Sequence, residues 1–211
     1  MRLVVFGATG GTGRLVVEQA LAAGHEVTAV ARRPSAIIAR HERLTVVRGD
    51  VLEPSKIERA VAGQDAAVSA LGAADRAPTT VYSEGTGNVA QAMLAGGVRR
   101  LTCVSSGGLE ADHPYAPLLQ RLVTKLFVQR LYKNPFADMA RMEEELERSG
   151  LDWTVIRAPM LTDGPRTERY RVAASGHLDR PGRISRADLA DYILAHLNDL
   201  ASYRAKVEIS Y

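Results

Sequence analysis

The stretch LVVFGATGGTG, residues Leu3–Gly13, stands near the start of the chain and decides the fold. Its first four residues are apolar and rich in β-branched side chains, a pattern that predicts a strand. Gly7, Gly10 and Gly13 follow with GxxGxxG spacing, and helical spacing then continues to Ala23. The stretch therefore predicts a strand, a glycine-rich turn and a helix that begins directly after the turn.

Each glycine has a separate physical role in such a turn. Gly7 permits a tight turn, Gly10 lets the backbone approach a pyrophosphate closely, and Gly13 lets the helix pack near the strand. The helix N-terminus adds free N–H groups and the positive end of the helix dipole. Because the turn joins the first strand to the first helix of an alternating chain, we favour a dinucleotide site over a glycine-rich turn without a ligand.

The rest of the chain alternates short apolar runs with helical segments, as expected of a parallel sheet covered on both faces. Further strands are predicted at Val27–Val30, Leu44–Val47, Ala66–Ala70, Arg100–Val104, Trp153–Arg157 and Lys206–Ser210. Further helices are predicted at Ser55–Ala62, Thr79–Ala95, Tyr115–Leu131, Phe136–Ser149 and Ser185–Leu197. We therefore expect a single Rossmann-type, doubly wound α/β domain over residues 1–211, including a small C-terminal substrate-binding part.

Ligands of such sheets bind beyond the carboxyl ends of the strands, so the residues that follow each strand are the candidates. Arg32 and Arg33 follow the second strand, where NAD-binding proteins carry an acidic residue that bonds the ribose 2′-hydroxyl. A guanidinium can pair with a 2′-phosphate that a carboxylate would repel. The sequence therefore favours NADP(H) over NAD(H), and one of the two arginines can point to water instead.

The next three strand ends carry further candidate groups. Asp50 follows the third strand and either accepts a hydrogen bond from the adenine amino group or caps a turn, which the spacing leaves open. Leu71 and Gly72 follow the fourth strand, where a glycine keeps the backbone close to the adenosine ribose. Ser105 and Ser106 follow the fifth strand, where a hydroxyl would lie beside the nicotinamide or belong to a serine-rich turn.

Composition excludes several other classes of protein. Hydrophobic residues make up 46% of the chain, charged residues 24%, and the net charge is +3 with scattered arginines, so we expect no nucleic-acid partner. The single cysteine, Cys103, cannot form an internal disulfide and is predicted to be a buried core residue. We find neither a signal-peptide pattern nor a stretch that could span a membrane, and we expect a cytoplasmic protein with no metal site.

Five stretches carry a family resemblance: FGATGGTG (Phe6–Gly13), RGDVLEP (Arg48–Pro54), AGQDAAVSALG (Ala62–Gly72), APTTVYSEGTGNVAQAM (Ala77–Met93) and CVSS (Cys103–Ser106). Together they resemble the atypical short-chain dehydrogenase/reductases, including the NmrA-like NAD(P)H-binding proteins and, within the group, the biliverdin-IXβ and flavin reductases. The resemblance continues more weakly through Arg148–Pro165 and Ile184–Leu194 and thus covers nearly the whole chain.

The resemblance implies a role for each matching residue. The residues implied at the pyrophosphate are Gly7, Thr9, Gly10, Gly11, Thr12 and Gly13. Those implied at the adenosine half are Arg32 and Arg33 for the 2′-phosphate, Asp50 and Val51 for adenine, and Leu71 and Gly72 for the adenosine. Those implied at the nicotinamide are Ser105, as the active-site serine, Ser106, and the loop residues Pro159 and Met160.

Three departures from the family pattern bear on the chemistry. None of the seven tyrosines has a lysine four residues later, so the Tyr-x-x-x-Lys pair that serves alcohol–ketone chemistry is missing. Met160 stands near the place where flavin reductases of this type carry a histidine. The segment Tyr115–Leu131 is longer and more apolar than expected, with an apolar stripe that we expect to pack on the sheet or cover the active site rather than bind a partner.

Two functions fit these residues. The first is an NADPH-dependent reductase that transfers hydride to a planar acceptor such as a flavin, quinone or tetrapyrrole, with Ser105 orienting the carboxamide and no Tyr–Lys pair required. His113 and Tyr115 would then be candidates for the pocket wall. The second is a non-catalytic NADP(H)-binding sensor of the NmrA-like type, while an isomerase or epimerase has only the fold in its favour. We expect a monomer or a weak homodimer in either case.

Overall fold

The computed structural model describes residues 1–110 and 112–211. Its ten strands, in chain order, are β1 (Arg2–Phe6), β2 (Glu26–Ala31), β3 (Leu44–Arg48), β4 (Ala66–Ser69), β5 (Arg100–Ser106), β6 (Asp152–Ala158), β7 (Met160–Thr162), β8 (Arg171–Ala174), β9 (Arg183–Ser185) and β10 (Ala205–Ser210). Eight of them form one sheet in the order β3-β2-β1-β4-β5-β6-β10-β8. All neighbouring pairs in this sheet are parallel except β10 and β8, which confirms the predicted Rossmann-type fold.

The helices cover both faces of this sheet. They are α1 (Gly11–Ala22), α2 (Glu58–Val61), α3 (Ser83–Ala95), α4 (Leu118–Val123), α5 (Gln129–Leu131), α6 (Lys133–Arg148) and α7 (Arg186–Ala195). Helices α1 and α7 pack against each other on one face, and α3 packs against α6 on the other. Strand residues alternate accordingly, so that Leu3 and Val5 join the first core while Val4 and Phe6 join the second.

The predicted strands and most of the predicted helices are confirmed to within a few residues. Two predicted helices are exceptions: Ser55–Ala62 divides into a 3₁₀ turn at Pro54–Lys56 and the single turn of α2, and Tyr115–Leu131 is divided as well. Strands β7, β8 and β9, which have three or four residues each, were not predicted from the sequence. Short strands at a sheet edge bury few side chains, so β8, which is mostly exposed, has no apolar pattern to reveal it.

The segment predicted as a helix over Tyr115–Leu131 differs most from expectation. It begins at Leu118 and includes a π-helical stretch, Thr124–Val128, between α4 and α5. Its apolar stripe faces solvent, with between 44% and 73% of each residue exposed: Leu118, Leu119, Leu122, Val123, Leu126 and Phe127. The expectation that this stripe packs on the sheet or covers the active site is therefore wrong, because the stripe faces solvent and the opposite side of the segment, which is mostly polar, is turned toward the protein.

Cys103 lies in β5 and is fully buried, as predicted. Burial in apolar surroundings raises the pKa of its thiol to about 12, only partly opposed by a hydrogen bond with Ser69. The thiol is therefore protonated at neutral pH, and a nucleophilic role is excluded on physical grounds.

Candidate functional site

A cleft of about 710 Å³ opens at the carboxyl ends of the strands. It lies where the strand order reverses, because β2 and β4 flank β1 on opposite sides. On the two sides of this point, the connections that follow the strands run to opposite faces of the sheet. Open α/β sheets bind their ligands in the crevice between these connections.

The glycine-rich turn after β1 forms the floor of this cleft and is very closely packed. Gly7 has φ +75°, and a Cβ built on it would lie 2.2 Å from the Ala70 carbonyl oxygen. A Cβ on Gly13 would lie 2.2 Å from the carbonyl oxygen of Gly7. Only glycine fits at either position, so Gly7 and Gly13 play the turn and packing roles that the spacing predicted.

Most of the predicted cofactor residues line the cleft together. They are Gly7, Thr9, Gly10, Gly11, Thr12, Arg32, Asp50, Val51, Leu71, Gly72, Ser105, Ser106 and Pro159. Three others lie outside its lining: Gly13 is buried beneath the turn, Arg33 is exposed beyond it, and Met160 lines a second pocket. Of the two arginines, Arg32 is therefore the one that faces the cleft.

The two alternatives for Asp50 can now be compared. Its Oδ1 accepts a hydrogen bond of 3.1 Å from the Leu52 N–H, so the turn-capping role is present. Asp50 also lines the cleft, which leaves its carboxylate accessible to a ligand. The neighbouring Val51 is held by its carbonyl oxygen, which accepts a hydrogen bond of 2.9 Å from the Asn88 side chain.

A buried carboxylate on α6 fixes the loop between β4 and α3. Asp138 accepts hydrogen bonds from the Tyr82 N–H at 2.9 Å and from the Ser83 hydroxyl. It thereby provides an acceptor for a backbone N–H that would otherwise be unpaired at the N-terminus of α3. The Tyr82 hydroxyl in turn accepts a 2.9 Å hydrogen bond from the Ala73 N–H. Burial raises the pKa of Tyr82, so this phenol stays neutral and holds the loop that carries Leu71 at the cleft.

Ser105 takes part in a buried polar network behind the cleft. Its hydroxyl donates a 2.7 Å hydrogen bond to Oε1 of Glu143, a residue of α6 that is 2% exposed. Arg157 donates to the other carboxylate oxygen at 2.7 Å, and Lys206 Nζ lies 3.4 Å from it. Because its proton is committed to Glu143, Ser105 can only accept a further hydrogen bond from a ligand.

Ser106 differs from Ser105 in the hydrogen bonds that its hydroxyl makes. Its Oγ accepts a 3.1 Å hydrogen bond from the Gly108 N–H at the start of the 3₁₀ turn Gly107–Leu109. Among the described residues its hydroxyl proton has no acceptor, which leaves Ser106 able to donate to a ligand.

A second pocket of about 420 Å³ adjoins the cleft. Four residues line both: Ser106, Tyr132, Phe136 and Pro159. The rings of Tyr132 and Phe136 are stacked, with centroids 5.7 Å apart, and supply a flat apolar wall where the two cavities meet. Met160 and the polar side of the α4 segment, through Gln120 and Thr124, complete the second pocket.

The far side of the second pocket is charged. Glu110, His113, Arg157 and Glu208 all line it. Burial raises the pKa of Glu208, but hydrogen bonds from His113, the Leu178 N–H and His177 outweigh burial and leave this pKa below its ordinary value. Glu208 is therefore an ionised carboxylate in the wall of the pocket.

Sequence reasoning missed several of these residues. Glu143, Arg157 and Glu208 come from three separate elements, and no local motif connects them. Arg186, at the start of α7, also lines the cleft, and a Cβ built on Gly11 would lie 2.8 Å from its Cδ. The one available signal for Arg186 was its position directly after Ser185, whose hydroxyl oxygen caps α7 by accepting from the Asp188 N–H at 2.9 Å.

With this geometry established, comparison with known proteins places the chain in a family. The profile of the NAD(P)H-binding family matches residues 7–200, and the chain belongs to that family. Its fold is that of the short-chain dehydrogenase/reductases. The closeness to biliverdin reductases in particular stays a prediction.

Individual relatives are distant in sequence. YwnB from Bacillus subtilis is 24% identical over 202 residues, which cover 95% of this chain and 92% of that protein. Mycobacterial relatives, also 24% identical over 202 residues, are longer, and the match covers 92% of this chain and 20% of their length.

Two solved structures share the fold over nearly their whole length. A short-chain dehydrogenase/reductase from Veillonella parvula in complex with NADP has a TM-score of 0.84 at 19% identity, covering 100% of this chain and 94% of that one. ChuY, an anaerobillin reductase from Escherichia coli O157:H7, has a TM-score of 0.78 at 24% identity, covering 100% of this chain and 97% of that one.

Across residues 1–110 and 112–211, none of the helices combines the length and the apolar character that crossing a bilayer requires. The cytoplasmic location stays a prediction from the sequence.

Proposed function

We propose that the protein is an NADPH-dependent reductase that transfers hydride to a planar acceptor such as a flavin, a quinone or a tetrapyrrole. One observation carries this proposal: the dinucleotide cleft and the second pocket meet at Ser106, Tyr132, Phe136 and Pro159. A cofactor that fills the cleft would therefore present its reactive end to an acceptor that fills the pocket.

The residues of the cleft fit a dinucleotide. A Cβ built on Gly72 would meet nothing within 4 Å, so the backbone there faces open space that a ribose can occupy. The N-terminus of α1, which begins at Gly11, offers free N–H groups to the pyrophosphate, and Arg186 beside Gly11 adds a positive charge. Favourable charge and close backbone approach thus coincide at one end of the cleft.

The choice of NADPH over NADH rests on Arg32. This residue is exposed at the edge of the cleft, where it can pair with a 2′-phosphate through two parallel hydrogen bonds. Arg33 does not line the cleft, so a substitution of Arg33 is the matched control for the same substitution of Arg32. Directly after β2, the residue that lines the cleft is Arg32, so a guanidinium stands where NAD-binding proteins carry a carboxylate.

The two serines would divide the work at the nicotinamide end. Bound NADPH would supply the hydride, and the protein would align the acceptor and exclude water. Ser105, whose proton is held by Glu143, would accept a hydrogen bond from the carboxamide and orient it. Ser106 would donate a hydrogen bond to the acceptor, whose flat ring system would lie against Tyr132 and Phe136.

The alternative is a non-catalytic NADP(H) sensor, and one observation favours it. The apolar residues of the α4 segment, Leu119 and Phe127 among them, are exposed as a binding surface for another protein would be. The enzyme is preferred because a sensor does not need a second pocket that opens onto the dinucleotide cleft.

A panel assay separates the two functions. Purified protein is mixed with NADPH and, in turn, FMN, a quinone or biliverdin, and the absorbance of the reduced nicotinamide is followed. The reductase predicts turnover with at least one acceptor that falls in Phe136→Ala, which removes the shared wall. Tight NADPH binding without turnover over the whole panel would contradict the reductase and support the sensor.

A further inference from the structure

Two histidines and a glutamate from three separate segments converge beside the second pocket. His113 comes from the loop after β5, His177 from the loop between β8 and β9, and Glu208 from β10. One potential ligand atom from each lies within 4.8 Å of those of the other two. We propose that these three side chains form a binding site for a divalent transition-metal ion, with Zn²⁺ the best match.

The distances among the three side chains suit such an ion. His113 Nε2 lies 3.0 Å from Glu208 Oε2, and His177 Nδ1 lies 2.9 Å from Glu208 Oε1. Ligands of a tetrahedral Zn²⁺ with bonds of about 2.0–2.2 Å lie roughly 3.3–3.6 Å apart. The two imidazole–carboxylate distances are a few tenths of an ångström shorter than this, and the ligand atoms of all three side chains lie within 4.8 Å of one another, so small side-chain shifts would convert the hydrogen-bonded cluster into a coordination shell.

The chemistry of the cluster favours zinc over calcium or magnesium. Two imidazoles and one carboxylate are a ligand set that zinc accepts, whereas calcium and magnesium require oxygen ligands. Glu208 Oε2 also accepts a 2.8 Å hydrogen bond from the Leu178 N–H, which fixes the carboxylate. A ligand held in this way by a backbone donor is typical of metal sites.

A second carboxylate provides an independent indication. Although 42% of the Glu110 side chain is exposed, its Oε2 atom is buried, lies 3.5 Å from His177 Nδ1 and makes no hydrogen bond to any of the described residues. A buried carboxylate oxygen without a partner is costly, and a nearby cation would remove that cost. Arg157 does not serve this purpose fully, because its shortest contact, 2.7 Å, is with Glu143, and it lies 3.6 Å from Glu110 Oε1.

The proposed ion would join two loops to the sheet. His113 and Glu208 line the second pocket, and His177, which has 33% of its side chain exposed, contacts Glu208. Metal binding would therefore fix the position of His113 and Glu208 in the wall of this pocket. The sequence analysis predicted no metal because residues 113, 177 and 208 are too far apart for a spacing pattern.

Zinc titration of the metal-free protein tests this proposal. The full chain, without a histidine tag, is stripped with EDTA and titrated with Zn²⁺ against a chelating dye, and with Co²⁺ as a spectroscopic probe. We expect one Zn²⁺ per chain and the visible absorption of tetrahedral Co²⁺ with nitrogen and oxygen ligands. Absence of stoichiometric Zn²⁺ binding would overturn the proposal.

Two variants make the test specific. His177→Ala removes a ligand whose side chain is one-third exposed, so the risk to folding is small. Loss of a residue that only supports a metal ligand weakens metal binding roughly 10- to 100-fold, and we expect His177→Ala to weaken Zn²⁺ binding by more than this. Glu110→Gln should weaken it less. His41→Ala, at an exposed histidine outside the cluster, is the matched control and should leave affinity unchanged. Equal affinity in His177→Ala and wild type would overturn the proposed site even if the protein binds zinc elsewhere.

Discussion

The dinucleotide cleft and the second pocket are built in different ways. The cleft depends on backbone and small residues within short stretches, above all the turn from Gly7 to Gly13, where the packing leaves no room for a Cβ at either of these two glycines. The second pocket depends on long side chains from distant segments, such as Glu110, Arg157 and Glu208. A site made of backbone leaves a motif in the sequence, whereas a site made of converging side chains does not.

The largest expected effect is on the backbone side of this comparison. Gly7→Ala adds a Cβ 2.2 Å from the Ala70 carbonyl, whereas Gly97→Ala, at a similar φ of +72°, meets nothing within 4 Å. The left-handed backbone costs both variants about 1–2 kcal/mol. We expect the clash to lower the free energy of unfolding of Gly7→Ala by several kcal/mol more than that of Gly97→Ala, which is at the upper end for single substitutions. Gly7→Ala should also lose NADPH binding. Urea unfolding and NADPH titration measure both quantities, and equal stability losses in the two variants would contradict the packing argument.

The next effect concerns the buried polar network in which Glu143 joins Ser105 of the cleft to Arg157 of the second pocket. Glu143→Gln leaves Arg157, which has 17% of its side chain exposed, without its closest charged partner. Breaking a buried pair on one side costs about 3–5 kcal/mol, and partial exposure of Arg157 places the expected loss near 2–3 kcal/mol. Glu147→Gln is the matched control, because Glu147 pairs with Lys206 at 2.7 Å but is half-exposed. In the same urea experiment, Glu147→Gln should lower the free energy of unfolding by less than about 1 kcal/mol. A similar loss in both variants would contradict the claim that the buried network around Glu143 stabilises the protein.

The contrast between these regions explains what could be predicted from the sequence. Residues 7, 10 and 13 indicated the fold and the floor of the cleft, since glycine spacing reflects local backbone geometry. Arg32 and Asp50 were found because parallel strands end at one edge of the sheet. Glu143 and Arg186 were not found, because a charged residue in a helix is usually a solvated one. The outward-facing stripe at Leu118–Phe127 was misjudged, because periodicity shows that a helix has an apolar face but not what covers it.

Arg32 tests the selectivity of the adenosine end of the cleft. Arg32→Ala removes the guanidinium that faces the cleft, whereas Arg33→Ala removes one that lies beyond it. Hydrogen bonds to a charged group contribute about 1.5–3 kcal/mol, so the Kd for NADPH should rise about 10- to 100-fold in Arg32→Ala and little in Arg33→Ala. Binding of NADH should be nearly unchanged in both. Equal losses for NADPH and NADH in Arg32→Ala would show that the 2′-phosphate lies elsewhere.

The smallest expected effect lies where the two regions meet. Ser105→Ala should lower stability by about 1 kcal/mol through loss of the bond to Glu143, and should raise the Kd for NADPH about 5- to 10-fold through loss of the carboxamide contact. Ser106→Ala should change stability by less than about 0.5 kcal/mol and lower kcat instead. Steady-state kinetics and urea unfolding on both variants separate these roles. If Ser105→Ala abolished turnover while Ser106→Ala did not, our division of the work between the serines would be reversed.

The central claim is that the cleft beside the glycine-rich turn binds NADPH. Titration calorimetry of the wild-type chain with NADPH tests it most directly. We predict saturable binding of one NADPH per chain, with weaker binding of NADH under the same conditions. The contradictory result is the absence of saturable binding for either dinucleotide at millimolar concentrations.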